Sequence, residues 1–270
     1  MREVTVAVVQ MDTKLGESDA NLAKMGEMIR QVVARQRVDV IVFPELATTG
    51  SDCGARFTQL NQRVPGPSVN VIAQRAQDTA THIAFGIPTK ERVESIAFNS
   101  QVLVGPEGDL VSHYRKVHLR GIEQTLFRPG FKLEPVETPL GVLGQQVGWD
   151  LFYPEGIRSL CMDGAEFILV SAAWDREHAD EWRVFLSARA AENACFICAA
   201  NRVGEEPGMA FCGESMIVGP RGQVIVDLDE TTEGFILARL SLDETRRVRE
   251  ETQIFQTRQP LSYRSVVRKY

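Results

Sequence analysis

The first 45 residues place a short β-type run, a helical run and a second β-type run in succession, and this order restricts the chain to the α/β class. Val4 to Val9 is a β-branched run ended by polar residues, and it reads as a buried strand. Behind Ser18 and Asp19, either of which can cap a helix, Leu22, Met25, Ile29, Val32 and Val33 recur at helical spacing. Val38-Asp39-Val40-Ile41-Val42-Phe43 is then a second buried strand, stopped by Pro44. Strand, helix and strand in that order form a βαβ unit, whose parallel strands need helices laid over the sheet.

Two features of the first half return in the second. Phe43-Pro44-Glu45 recurs as Tyr153-Pro154-Glu155, and Val104-Gly105-Pro106-Glu107-Gly108 recurs as Val218-Gly219-Pro220-Arg221-Gly222. The second pair reads as a strand, a Gly-Pro turn and a returning strand, Leu110 to Tyr114 and Gln223 to Leu228. Together they predict two halves of like topology: two packed sheets with helices on the outer faces, a four-layer α-β-β-α sandwich. No Ser/Gly/Pro-rich linker interrupts the chain, so residues 1–270 read as one domain. The turn-rich stretch Gly121 to Glu137 reads as a loop, where function concentrates.

Charge and motif content exclude several function classes. A net charge of −6 argues against general affinity for nucleic acid or an anionic membrane. The tail is locally basic (Arg246, Arg247, Arg249, Arg258, Arg264, Arg268, Lys269) and reads as a solvated or subunit-contacting arm from about residue 245 onward. No apolar run approaches the roughly 20 residues of a membrane helix, and Met1-Arg2-Glu3-Val4 enters a strand without a signal-peptide core. Five cysteines, an odd number in a chain this long, indicate a reducing cytoplasmic setting. His82, His113, His118 and His178 show no metal-ligand spacing, and no GxGxxG or GxxxxGK[ST] run is present. Neither a metal nor another cofactor is expected.

Three segments carry groups suited to hydrolysis. Glu45 ends Ile41-Val42-Phe43-Pro44-Glu45, at the carboxyl edge of a buried strand where α/β sheets form ligand crevices. A carboxylate desolvated there has a pKa raised toward general-base work, although an acidic residue after a strand more often caps a helix or faces water. In Tyr114-Arg115-Lys116-Val117-His118-Leu119, a strand end points Arg115 and Lys116 to opposite faces, so one is solvated while the other enters a crevice. An ammonium fixed there would stabilise an oxyanion, whereas an isolated lysine is more often a surface group. The third segment, Gln145 to Glu155, is a strand leading into Gly148, followed by residues that can start a helix. Many hydrolases mount a nucleophile on such an elbow. Gly148 itself offers only tolerance of a strained turn.

Phe43-Pro44-Glu45, Tyr114-Arg115-Lys116-Val117-His118-Leu119 and Trp149-Asp150-Leu151-Phe152-Tyr153-Pro154-Glu155 resemble, in order, the three signature segments of the nitrilase superfamily of carbon–nitrogen hydrolases. The likeness runs from Val4-Ala7-Val9-Gln10 to Asn201-Arg202 and Phe211-Gly213-Ser215-Met216, nearly the whole chain. It implies Glu45 as general base, Lys116 as oxyanion-side cation, Glu123 as a second, positioning glutamate, and the Trp149 backbone N–H as the other oxyanion donor. It also implies a small linear amide, nitrile or N-carbamoyl substrate, and self-association as a dimer or higher. Trp149, Tyr153 and Trp174 are the expected aromatic walls of the pocket, although Trp174 reads equally well as a half-buried core aromatic.

The family's nucleophilic cysteine belongs at Gly148, and this chain lacks it. Cys161 falls on a helix, and Cys195 and Cys198 face opposite sides of a strand, so all three read as structural. Cys53, in a loop, stays open as a neighbour of the crevice. Three readings of Gly148 follow. In the preferred one, a single engineered replacement has inactivated an amidase or nitrilase. In the second, the chain is a natural pseudoenzyme that binds an amide, acid or amine. In the third, Glu45 activates water with no covalent step.

Overall fold

The computed structural model describes residues 2–91, 96–266 and 268. Met1, at the expected strand entry, and Lys269, at the end of the expected arm, lie outside them. The first sheet contains β1 (Glu3–Gln10), β2 (Val40–Val42), β3 (His82–Lys90), β4 (Ala97–Val104), β5 (Leu110–Arg115) and β14 (Gly234–Ser241). Its order is β14-β1-β2-β3-β4-β5, with β1, β2 and β3 parallel and the others antiparallel to their neighbours. The second sheet contains β6 (Val136–Thr138), β7 (Gly141–Val147), β8 (Phe167–Ser171), β9 (Phe196–Ala200), β12 (Met216–Val218) and β13 (Val224–Asp227). Its order, β13-β12-β9-β8-β7-β6, again has three parallel strands at the centre. A small hairpin of β10 (Glu205–Glu206) and β11 (Met209–Ala210) stands apart from both sheets.

Helices α1 (Ser18–Arg35) and α3 (Pro67–Thr79) cover the first sheet, and α5 (Pro154–Met162) and α6 (Ala179–Asn193) cover the second. Two single-turn helices, α2 (Phe57–Leu60) and α4 (Glu123–Leu126), lie in loops, and α7 (Leu242–Thr252) follows the last strand. The period-2 alternation of the strands divides the apolar residues among the layers. On β1, Val4, Val6 and Val8 enter the core between the sheets, while Ala7 and Val9 pack under α1 and α3. On the second sheet, Phe196, Cys198 and Ala200 join the same central core, and Cys195, Ile197 and Ala199 pack under α5 and α6. The result is the expected α-β-β-α sandwich.

Three sequence expectations need correction. The first helix begins at Ser18 with Glu17 at the cap position and no side-chain cap, so neither Ser18 nor Asp19 caps it. The Asn21 side chain instead ties the turn before the helix, accepting from the Lys14 amide at 2.8 Å and donating to the Lys14 carbonyl at 2.8 Å. Second, the loop Gly121 to Glu137 contains α4 and the start of β6. Third, the Gly-Pro turns are equivalent in the two halves, joining β4 to β5 and β12 to β13, but the Pro-Glu pairs are not. Phe43-Pro44-Glu45 follows β2, the middle parallel strand, whereas Tyr153-Pro154-Glu155 follows the β7 elbow and opens α5. Proline suits both sites for different reasons, ending a strand in one and occupying a first helical turn in the other.

Candidate active site

Glu45 lies just past the carboxyl end of β2, and Gly148 just past that of β7, so each sheet delivers one side of the site. The Glu45 segment sits close against β3. A β-carbon at Gly86 would meet the Glu45 α-carbon at 2.5 Å and the Pro44 carbonyl oxygen at 2.6 Å, so only glycine permits this approach. The Glu45 amide donates to the Ala172 carbonyl at 3.2 Å, linking the first sheet's loop to the end of β8. The next residue, Leu46, takes φ +47°, a left-handed conformation uncommon outside glycine.

Lys116 extends the β4–β5 ladder: its amide donates to Asn99 at 2.8 Å, and Gly130 donates to its carbonyl at 2.7 Å. Arg115 and Lys116 part as the alternation requires. Arg115 pairs with Glu91 and lies over the Phe98 ring, while Lys116 turns inward and is 3% exposed.

Four side chains then converge. The Lys116 Nζ donates to Glu45 Oε1 at 2.7 Å and to both Glu123 oxygens at 2.8 Å. The Asn99 amide donates to Glu45 Oε1 at 2.6 Å and Glu123 Oε1 at 2.9 Å, and the Ala173 amide donates to Glu45 Oε2 at 3.0 Å. Glu45 is 4% exposed. Burial raises its pKa, and the neighbouring Glu123 charge raises it further, against the pull of Lys116 and Asn99. Burial also works against the Lys116 charge, but Glu123 and Glu45 outweigh it and hold the ammonium above its usual range. One cation thus faces two carboxylates, and burial shifts Glu45 toward its protonated form.

Gly148 takes φ +43° directly after β7 and opens a 3-10 turn that runs to Phe152. The elbow is held by Asp150, which accepts from the Val147 amide at 3.2 Å. Glu45, Lys116, Glu123, Gly148, Trp149 and Trp174 all line one cavity of about 560 Å³. Trp149 and Trp174 stack with centroids 5.4 Å apart. Tyr153 is not part of the lining; it stacks on His118 at 3.8 Å, away from the cavity. Met209 and Ala210 of the small hairpin close another side.

No cysteine enters this space among the described residues. Cys53 is buried, its thiol donates to the Thr49 carbonyl at 3.2 Å, and burial with the Glu206 charge pushes its pKa up to about 11. A thiol so held is a poor nucleophile. At the cavity mouth, Asp175, Glu177 and His178 bring ligand atoms within 4.8 Å of one another. The Arg120 guanidinium already engages Asp175 and His178 at 3.0 Å each, so a cation occupies that corner.

Asn99 and Asp150 were not singled out by the sequence reading. A signal existed for Asn99: Asn99-Ser100-Gln101 is a polar triplet inside an otherwise apolar strand, and buried polar groups need partners.

The sequence profile of the Carbon-nitrogen hydrolase family matches residues 5–250. A probable nitrilase of Schizosaccharomyces pombe is 35% identical, with 98% of this chain and 99% of that protein aligned. The 2-oxoglutaramate amidase of Bacillus subtilis is 30% identical over 93% of this chain and 96% of its own length. Among solved structures, a carbon–nitrogen hydrolase from Helicobacter pylori superposes with a TM-score of 0.93 at 23% identity, covering 99% of both chains. With its fold, its full-length relatives and the profile in agreement, the chain belongs to the carbon–nitrogen hydrolase family of the nitrilase superfamily.

Proposed function

We propose that this is the site of an amidase acting on a small linear amide, from which the nucleophile alone has been lost at Gly148. The observation carrying this reading is the cluster of Glu45, Lys116 and Glu123 in the cavity that Gly148 also lines, with Glu45 against the turn where the nucleophile would stand. Retention of every other group fits a single engineered replacement.

With a thiol restored, the groups present would support the following chemistry. Glu45 takes the thiol proton, and sulfur attacks the amide carbonyl carbon. Lys116 Nζ and the Trp149 backbone N–H stabilise the oxyanion. Glu45 returns the proton to the leaving nitrogen as the C–N bond breaks. Water then attacks the thioester, giving its proton to Glu45, and the acid departs with the thiol regenerated. Without sulfur no acyl-enzyme forms, and the rate falls by several orders of magnitude. Nitriles and N-carbamoyl compounds require the same groups.

The test is Gly148→Cys, assayed by ammonia release over a panel of linear amides, nitriles and N-carbamoyl compounds. A gain of about 10³-fold or more on one of them is expected. No gain on any overturns the reading, and equal turnover by the unaltered chain overturns the inactivation.

A natural binding protein is the second reading. It is favoured by one feature: the Glu45 carboxylate already fills the space beside Gly148 and is hydrogen-bonded through both oxygens there. Self-association is supported by apolar side chains exposed along the turn after β7, α5 and α6 (Phe152, Met162, Val184) and by Leu261 in the tail, 77% exposed. Five free cysteines support a reducing cytoplasmic location.

A further inference from the structure

Asp150 is completely buried and stands two residues beyond Gly148. Its two oxygens collect five donors. Oδ1 accepts from the backbone N–H groups of Val117 at 3.2 Å and His118 at 2.8 Å, and from His118 Nδ1 at 2.8 Å. Oδ2 accepts from the Tyr114 hydroxyl at 2.6 Å and the Val147 N–H at 3.2 Å. The Tyr114, Val117 and His118 donors bracket Lys116 on both sides, and the Val147 donor immediately precedes Gly148. One carboxylate therefore clamps the segment carrying the Lys116 ammonium to the turn carrying the Trp149 N–H.

A buried carboxylate is tolerated only when donors replace its water, and hydrogen bonds to the charged form are the strong ones. Burial and the Asp150 charge hold Tyr114 well above its usual pKa, so the phenol remains a donor. The Gln146 side chain adds a weaker tie, reaching the Tyr114 oxygen at 3.4 Å. The two groups that would face an oxyanion come from different sheets, and their spacing is set where those sheets are bonded together.

We propose that Asp150 is a positioning residue, fixing the Lys116 ammonium and the Trp149 N–H at the separation an oxyanion requires. This rests on the hydrolytic reading above.

Asp150→Asn keeps the shape but replaces one acceptor oxygen with an NH₂ group. Whichever way the amide lies, that NH₂ faces donors, either Tyr114 and Val147 or Val117 and His118. In a Gly148→Cys background, active sites are counted by the burst with 4-nitrophenyl acetate, and turnover of propionamide is expressed per titrated site. The expected result is a fall of about 100-fold in kcat per site, with KM changed far less. Unchanged turnover per site, with only fewer sites surviving, overturns the proposal, because that is what a purely structural role gives. Should Asp150→Asn not fold, Tyr114→Phe removes a single donor and is expected to lower kcat per site about tenfold; an unchanged value overturns. If the Gly148→Cys chain never acylates, the hydrolytic reading fails. Crystal structures of the unaltered chain and Asp150→Asn then decide. A shift of about 0.5 Å or more between Lys116 Nζ and the Trp149 nitrogen supports the clamp, and an unchanged separation overturns it.

Discussion

The carboxylate of Glu45 lies in the space that a side chain on Gly148 would enter. A β-carbon built on Gly148 falls 3.1 Å from Glu45 Cδ and 3.2 Å from Oε1, with Oε2 closer still. The carboxylate is also held from its other sides by Lys116, Asn99 and the Ala173 amide. Any side chain at 148 must therefore push the base aside against those bonds, so the two positions are energetically coupled.

Gly148→Ala measures that coupling. A non-glycine residue at φ +43° costs about 1 kcal/mol from backbone sterics alone. Displacing the carboxylate adds to it, for an expected total of about 1–3 kcal/mol in urea denaturation. In an Glu45→Ala background the obstacle is absent and only the backbone cost remains. A double-mutant cycle should return a coupling of about 1 kcal/mol. A coupling near zero would show that the carboxylate swings away without losing its partners.

Lys116→Met leaves Glu45 and Glu123 facing each other with no cation between them. Removing one partner of a buried ion pair costs about 3–5 kcal/mol. The loss should be largest at about pH 8 and smaller at about pH 5, where a proton on Glu45, whose pKa is raised, replaces the lysine charge. Denaturation curves at the two pH values test this, and an equal loss at both would contradict the shared-charge picture.

The layers of the fold were legible because they follow from strand alternation. Val4, Val6 and Val8 point one way and Ala7 and Val9 the other, and that pattern alone assigns two sheet faces. Glu45, Lys116 and Gly148 were legible as strand ends and through the resemblance. Asn99 and Asp150 were not, because their importance lies in which donors and acceptors surround them, and that is set by contacts between distant segments. Asn99 meets Glu45 across 54 residues of chain, and Asp150 meets Tyr114 across 36. Tyr153 was misplaced for a related reason. Proximity in sequence to Gly148 says nothing about which way a ring turns after a 3-10 bend, and this one turns onto His118.

Glu45→Gln tests the protonation of the site. The folded-state pKa of Glu45 is raised, first by burial and then by Glu123. The folded chain therefore binds a proton that the unfolded chain releases earlier as pH rises. Its stabilising contribution is complete below the unfolded glutamate pKa and is lost as pH rises through the folded value. Glutamine carries no such dependence. The stability difference between Glu45→Gln and the parent should thus move in glutamine's favour between pH 5 and pH 9 (roughly the span above an ordinary glutamate pKa), whatever its value at pH 5. A difference that is flat, or that moves the other way, would place the excess proton elsewhere.

His113 should set an acid limit independent of the active site. Its ring nitrogen Nε2 lies 3.2 Å from Ser100 Oγ and 3.3 Å from Thr89 Oγ1. Burial and then the Arg115 charge, against the opposing influence of Glu91, lower its pKa to about 4. Here the folded state binds fewer protons than the unfolded one. The contribution is present above the unfolded histidine pKa, near 6.5, and is lost as pH falls toward 4. Over that window the loss amounts to at most about 3 kcal/mol. His113→Gln keeps a hydrogen-bonding group without a titrating one, so its stability should change less between pH 7 and pH 4 (roughly the window of the shift) than that of the parent. Parallel thermal melts across that range check it: curves that stay parallel would mean that His113 charges in the folded protein at little cost.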